Sequence, residues 1–360
     1  MADEIFYKLR DILDTIPNGY PSRPDGIVIK ILKKIFTEEE ADLTTKLKLK
    51  YETPDAIALR TGLDSGFLSK KLFEMSEKGQ IWHARIGAVD LYKLLPFVFG
   101  IYEFQIKRMD EEFVRMAEDY MQSVFVHEYF SKKPSLLKVI PIENEIPNKT
   151  EIEPYESISN IIEGGKSWGV GTCICKKEKM MRGEGCDNPK EVCMAVAPFE
   201  NYFIDHFLMK PITKDEAYKT LDMAEEAGLV HMVNNVKGGH FTICNCCGCC
   251  CGLMRALNEF GYTEAIGNSN FYAVVDKDLC TSCGICIDRC QVKAITPGDT
   301  AEVNSRCIGC GLCISSCPVE AIRLKRREVE QMEYVPKDEK EWMKLRNIAR
   351  KKGDEYKQLI

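Results

Sequence analysis

All eighteen cysteines of this 360-residue chain fall between positions 173 and 317, most of them in tight groups. Thiols so close in sequence cannot bridge one another without strain. The start, MADEIFYKLR, lacks the basic-then-apolar layout of an export signal, so the expected compartment is the cytoplasm, where thiols stay reduced. Metal ligation is therefore favoured over disulfides. The most apolar stretch, Val89 to Ile106, carries Asp90, Lys93, Pro96 and Glu103, each costly in hydrocarbon, and no membrane span is expected. A hydrophobic content of 45% allows an ordinary core, and a net charge of -6 argues against a generally basic, nucleic-acid-coating protein.

The firmest motif lies near the C-terminal end. CTSCGICIDRC places Cys280, Cys283, Cys286 and Cys290 in a C-x2-C-x2-C-x3-C run, and CIGCGLCISSCP repeats it with Cys307, Cys310, Cys313 and Cys317. Three thiolates two residues apart wrap three irons of one 4Fe-4S cubane, and the fourth ligand comes from elsewhere. A zinc site would need two CxxC pairs well separated in sequence. Over 271–327 the chain resembles the bacterial two-cluster ferredoxin family, in which the last cysteine of each run crosses to the other cluster. The resemblance implies one cluster on Cys280, Cys283, Cys286 and Cys317, and another on Cys307, Cys310, Cys313 and Cys290. Gly284, Gly309 and Gly311 fit a backbone that approaches a cluster closely. VKAI and VEAI, after the two runs, match the short helix and return strand of that fold. Gln291 stands where the family usually has proline.

Ten further cysteines lie outside this unit: Cys173, Cys175, Cys186 and Cys193, then Cys244, Cys246, Cys247, Cys249, Cys250 and Cys251 in CNCCGCCCG. Cys173 and Cys175 would share a side if extended, and Asp187–Pro189 resembles a helix start with Cys193 one turn in. The first four thiols can make one site. Six thiols exceed what one cubane needs, so Cys244 and Cys246 could complete the first site while Cys247 and Cys249 to Cys251 supply a second. One or two additional iron–sulfur clusters are expected here, with zinc or a thiol relay as the alternative. His231 and His240 flank the group, each more simply explained as a structural residue than as a ligand. Lys176, Lys177, Lys179 and Arg182 form a positive run beside Cys175, whose ordinary explanation is a solvated helix face.

Elsewhere the chain reads as helical. Between Gly26 and Leu95 the pattern is three helices, then strands Ile81–Arg85 and Val89–Leu95 around Gly87, and it resembles a winged helix-turn-helix. DNA binding would use the helix Ser65–Lys78. From Gly26 to Pro96, however, 12 Lys/Arg face 10 Asp/Glu, and from Pro54 to Lys78 they balance at four each, so the phosphate attraction that dominates DNA affinity is weak. A docking module is preferred. Residues 97–133 should continue as helix, with Phe104, Met109, Phe113, Met116 and Tyr120 packing a core.

The expected architecture is α+β and multidomain: a helical, winged-helix-like domain over 1–133 (winged part 26–95), a linker over 134–160, a cysteine-rich domain over 161–262, a two-cluster ferredoxin fold over 271–327 and a charged helical tail over 328–360. No G-x-G-x-x-G or G-x4-G-K-[ST] loop is present, so electrons must come from protein partners serving as donor and acceptor. The expected function is single-electron transfer. An oxidoreductase with a central iron–sulfur active site and a redox-sensing winged-helix regulator are its competitors.

Overall fold

The computed structural model describes residues 3–204 and 208–360 and divides into two units, Met1–Tyr129 with Met343–Ile360, and Phe130–Trp342. No described helix is long and apolar enough to cross a membrane.

The first unit opens with α1 (Glu4–Thr15), α2 (Ile27–Ile35), α3 (Glu38–Thr45), α4 (Pro54–Thr61) and α5 (Ser65–Glu77). Between Gly26 and the hairpin of β1 (Trp82–Ile86) and β2 (Val89–Lys93) there are thus four helices, one more than the periodicity indicates. The extra boundary is a capping box. After extended Phe36, Thr37 Oγ1 accepts from the Glu40 amide at 3.3 Å while Glu40 Oε2 accepts from the Thr37 amide at 2.9 Å, so a new helix starts there. Thr53 and Pro54 start α4, left-handed Gly62 stops it, and Asp64 caps α5 through the Phe67 amide.

Residues 97–133 are not one continuous helix. Val98 and Phe99 are extended after Pro96, and helix resumes as α6 (Tyr102–Phe104), α7 (Glu111–Tyr120) and α8 (Val126–Phe130), with Asp110 capping α7. Met109, Phe113 and Tyr120 are buried as core, whereas Phe104 and Met116 are half-buried. The charged tail is not a solvated helix either. In α14 (Glu339–Ala349) the buried Arg346 guanidinium donates to the Tyr129 carbonyl and lies over that ring. Arg350 donates to the carbonyls of Asp14 and Ile16, each at 2.9 Å, because those C=O groups lie at the C-terminal end of α1, where carbonyls lack a helical partner.

The second unit is built on a seven-stranded sheet of order β6-β4-β5-β8-β7-β3-β9. Its strands are β3 (Leu137–Val139), β4 (Ser167–Thr172), β5 (Glu191–Ala197), β6 (Lys210–Ile212), β7 (Val230–Asn234), β8 (Thr242–Cys246) and β9 (Ile266–Gly267). On one face α9 (Ile158–Glu163) and α11 (Lys214–Glu226) bury Ile161, Ile162, Ala217 and Leu221 against Val170, Met194, Val196 and Ile243. The segment expected to be a linker supplies β3, which pairs antiparallel with β7 and parallel with β9. Its sequence, LKV, hides the strand because the middle side chain is charged. Lys138 is nonetheless buried, its Nζ donating to the Asn268 carbonyl at 2.7 Å and lying 3.4 Å from the buried Glu156 carboxylate.

Within the same unit β10 (Phe271–Val275) pairs antiparallel with β13 (Ile322–Arg326), and β11 (Ile295–Thr296) with β12 (Glu302–Val303). The short helix α13 (Ile285–Arg289) follows the first two cysteines of the first run and carries the third, Cys286.

Candidate functional site

The two cysteine runs occupy matching positions about a pseudo-twofold. Each thiolate candidate that ends a run accepts an N–H two residues into the following V-x-A-I segment: Ala294 N to Cys290 Sγ at 3.2 Å, and Ala321 N to Cys317 Sγ at 3.3 Å. The residues that make this possible, Lys293 and Glu320, both adopt left-handed backbone angles, φ 54° and 51°. The first cysteines are matched too, Cys280 Sγ accepting from Ala301 N at 3.4 Å and Cys307 Sγ from Ala273 N at 3.5 Å. Donors aimed at sulfur stabilise added negative charge. Gly309 is the glycine with a steric reason, since a β-carbon there would stand 2.0 Å from the Phe271 carbonyl oxygen.

Cys280, Cys283, Cys286 and Cys317 line one small cavity, beside Ala301, Ala321 and Ile322. Burial pushes the Cys286 thiol up, and Cys283, Cys280 and Cys317 add repulsion. Cys310 is pushed up to about 12, first by burial and then by Cys307 and Cys290. Cys313 is raised by burial and by Cys310, Cys307 and Cys290. Thiols raised in this way stay protonated unless a bound metal draws off the proton and holds them as thiolates. The fold thus brings Cys317 to the first three cysteines of one run and Cys290 to those of the other. These residues fit the group that their spacing implies.

The ten central cysteines divide differently from the sequence-based grouping. Cys173 and Cys175 are not on an extended segment: Cys173 is the N-cap of α10 (Ile174–Met181), which carries Cys175. The segment after Asp187 is a turn leading into β5, whose alternating valines favour strand, and Cys193 lies on that strand. Met194 and Val196 of β5 and Ile243 of β8 face the α9–α11 core, so by period two Cys193, Cys244 and Cys246 lie on the opposite face. Cys251 is the N-cap of α12 (Gly252–Asn258).

Two groups result. In the first, Cys186 joins Cys247, Cys249 and Cys250, all four Sγ atoms lying within 4.8 Å of one another. In the second, Cys175 lies beside Cys173 and Cys251, and Cys246 beside Cys244 and Cys251. Neighbouring thiols lower the pKa of one member of each group, Cys250 and Cys249 acting on Cys247, and Cys175 and Cys246 on Cys251. Cys186 and Cys251 have in effect exchanged places relative to the expectation. Cys186 lies 61 residues before Cys247, and no local pattern signals the pairing.

The flanking polar residues sort clearly. His231 is buried, with Nδ1 2.5 Å from Asn245 Oδ1 and Nε2 3.1 Å from Glu225, so both ring nitrogens are engaged away from the thiols. Burial holds His240 down to about 4 and keeps its imidazole neutral. The positive run is not a solvated face: Lys176 and Lys179 are buried, Lys176 Nζ donating to the Pro189 carbonyl and Lys179 pairing with Glu184. The sequence reading missed Asn188, whose side-chain amide donates to Cys186 Sγ at 3.4 Å, and Asn258.

Asn258 belongs to a junction between the ferredoxin unit and the central loop. The Gly248 amide, between Cys247 and Cys249, donates to Gln291 Oε1 at 2.7 Å, and Asn258 Nδ2 donates to the Gln291 carbonyl at 2.8 Å. Arg306 ties in by donating to Asn258 Oδ1 and to the Val292 carbonyl, both at 3.0 Å. A β-carbon on Gly248 would stand 2.4 Å from the Gln291 carbonyl oxygen. Gly248→Ala is therefore expected to cost about 1–3 kcal/mol through overpacking, read as a lowered denaturation midpoint.

Residues 273–296 and 303–323 match the family model of the 4Fe-4S binding domain. No curated protein and no solved structure gives a match to the chain. With eight cysteines of the ferredoxin pattern and a further cysteine-rich region beside them, the chain is an iron–sulfur electron-transfer protein carrying a ferredoxin-type domain at 273–323.

Proposed function

We propose that this protein relays single electrons through two ferredoxin cubanes, on Cys280, Cys283, Cys286 and Cys317 and on Cys307, Cys310, Cys313 and Cys290, to a further iron–sulfur cluster on the central cysteines. The clusters supply one-electron storage; the chain supplies their position and the N–H donors around them. The observation that carries the reading is the Gln291 junction. Cys290, a ligand of the second cubane, is bonded to Gln291, which accepts from Gly248 between two central cysteines. A continuous path of covalent bonds and one hydrogen bond joins Cys290 to Gly248, which lies two residues from Cys246 and three from Cys251 along the same backbone. The further cluster would sit on the group of Cys173, Cys175, Cys244, Cys246 and Cys251, of which Cys246 and Cys251 are buried.

The N-terminal helices serve as a protein-docking module. Lys71 of α5 and Lys78, just past its end, pair with Glu39 at 2.5 Å and Glu40 at 2.6 Å, which draws them away from phosphate binding. Leu59, Phe67 and Phe73 are exposed on α4 and α5 and suit a redox partner's apolar patch. A cytoplasmic location and an anaerobic, oxygen-sensitive setting accord with free thiols in such number.

Gln291→Ala tests the relay. It removes a hydrogen bond contributing about 1 kcal/mol and leaves every cysteine in place. Both ferredoxin EPR signals should persist while stopped-flow reduction of the central centre slows. Central reduction at the unmodified rate would remove Gln291 from the path and leave the relay without its supporting observation.

A further inference from the structure

From their spacing we infer that Cys186, Cys247, Cys249 and Cys250 hold one metal ion in tetrahedral thiolate coordination, not an iron–sulfur cluster. A single thiophilic ion with metal–sulfur bonds of about 2.3 Å sets its four sulfurs about 3.8 Å apart. The measured separations are 3.9 Å for Cys186–Cys247, 3.5 Å for Cys186–Cys250 and 3.7 Å for Cys249–Cys250, and every pair lies within 4.8 Å. A cubane puts each thiolate on a different iron at a separate corner and so holds its ligands farther apart. The ferredoxin cysteines illustrate the contrast: Cys280, Cys283, Cys286 and Cys317 line a cavity without their sulfur atoms converging as closely. Among the described residues, the Cys186 group is the one in which three or more metal-ligating atoms converge so tightly.

Its surroundings suit a closed structural site. Cys247 and Cys250 are buried, and Val192, Ala224 and Leu229 pack against them. Asn188 donates to Cys186 Sγ, an outer contact of the kind that orients a ligand. Four protein thiolates fill a tetrahedral ion, so no position is left for a substrate. The ion would clamp the turn at Cys186 to the loop 247–250, and with it the Gly248 amide that meets Gln291. Zinc and a lone iron share this chemistry, and the experiment separates them.

Full-length protein purified without oxygen is analysed for zinc, iron and acid-labile sulfide, beside the Cys186→Ser variant. The variant should lose about one metal ion per chain with sulfide and both ferredoxin EPR signals unchanged. A drop in zinc identifies zinc; a drop in iron alone identifies a lone iron. Loss of several irons together with sulfide, or no change in metal, would overturn the assignment. Should the variant fail to fold, the unmodified protein still decides. Either zinc with a single sulfur shell at about 2.3 Å in X-ray absorption or one iron in excess of sulfide supports the single ion, whereas equal iron and sulfide without zinc refutes it. Failure of the ferredoxin reading would show separately, as the absence of the two cubanes' iron and sulfide.

Discussion

Replacing Cys283 by serine removes about four irons and four sulfides, one cubane, and leaves the other ferredoxin cluster intact. The thiol is exposed, so the substitution opens no cavity, and a neutral hydroxyl is a poor substitute for a soft thiolate toward iron. Its three partners, Cys280, Cys286 and Cys317, remain round the cavity without a fourth ligand. The remaining cluster, on Cys307, Cys310, Cys313 and Cys290, shares no ligand with it. Cys249→Ser is the matched control: it should lose the ion of the Cys186 group and keep both ferredoxin EPR signals. Iron and sulfide analysis with low-temperature EPR of the reduced variants reads both results. A Cys249 variant that lacks either ferredoxin signal would break the division of ligands.

Glu156→Ala should lower the stability of the second unit by about 3–5 kcal/mol, the cost of stranding a buried charge. Glu156 is fully buried, as is Lys138, whose pKa burial pulls down and the carboxylate raises in part. The same carboxylate accepts from the Asn270 amide and from Asn270 Nδ2, each at 2.9 Å, so its removal also orphans two donors. Asn270 directly precedes β10, and Lys138 sits on β3. The pair therefore fastens the sheet to the ferredoxin strands. Urea unfolding followed through the clusters' visible absorption should show the midpoint fall, with Glu156→Gln less affected because its amide oxygen keeps one acceptor. A midpoint unchanged by Glu156→Ala would mean that the pair contributes nothing net.

The ferredoxin unit was legible in the chain because its chemistry is local. Each loop of two residues between cysteines folds by itself, and the third-position alanines of VKAI and VEAI supply matching N–H donors at fixed offset. The helix boundaries at Thr53, Gly62 and Asp64 were legible for the same reason: a cap touches residues two or three positions away. The long helix expected over 97–133 failed where Pro96 and extended Val98 and Phe99 outweighed apolar periodicity.

What the sequence by itself determined is the kind of chemistry and its local ligand runs: reduced thiols in number, two of their runs spaced for cubanes, and no phosphate-binding loop. Only the tertiary structure decided how the ten central cysteines divide. The partition depends on the register of β5 against β8, on helix starts that turn Cys173 and Cys251 inward, and on a turn that carries Cys186 across to Cys247. Those partners are tens of residues apart, and their meeting is fixed by packing of a whole sheet rather than by the stiffness of a short loop. The same holds for Gln291, an ordinary glutamine in sequence that becomes a junction only because β-sheet and ferredoxin unit bring Gly248 within 2.7 Å of it.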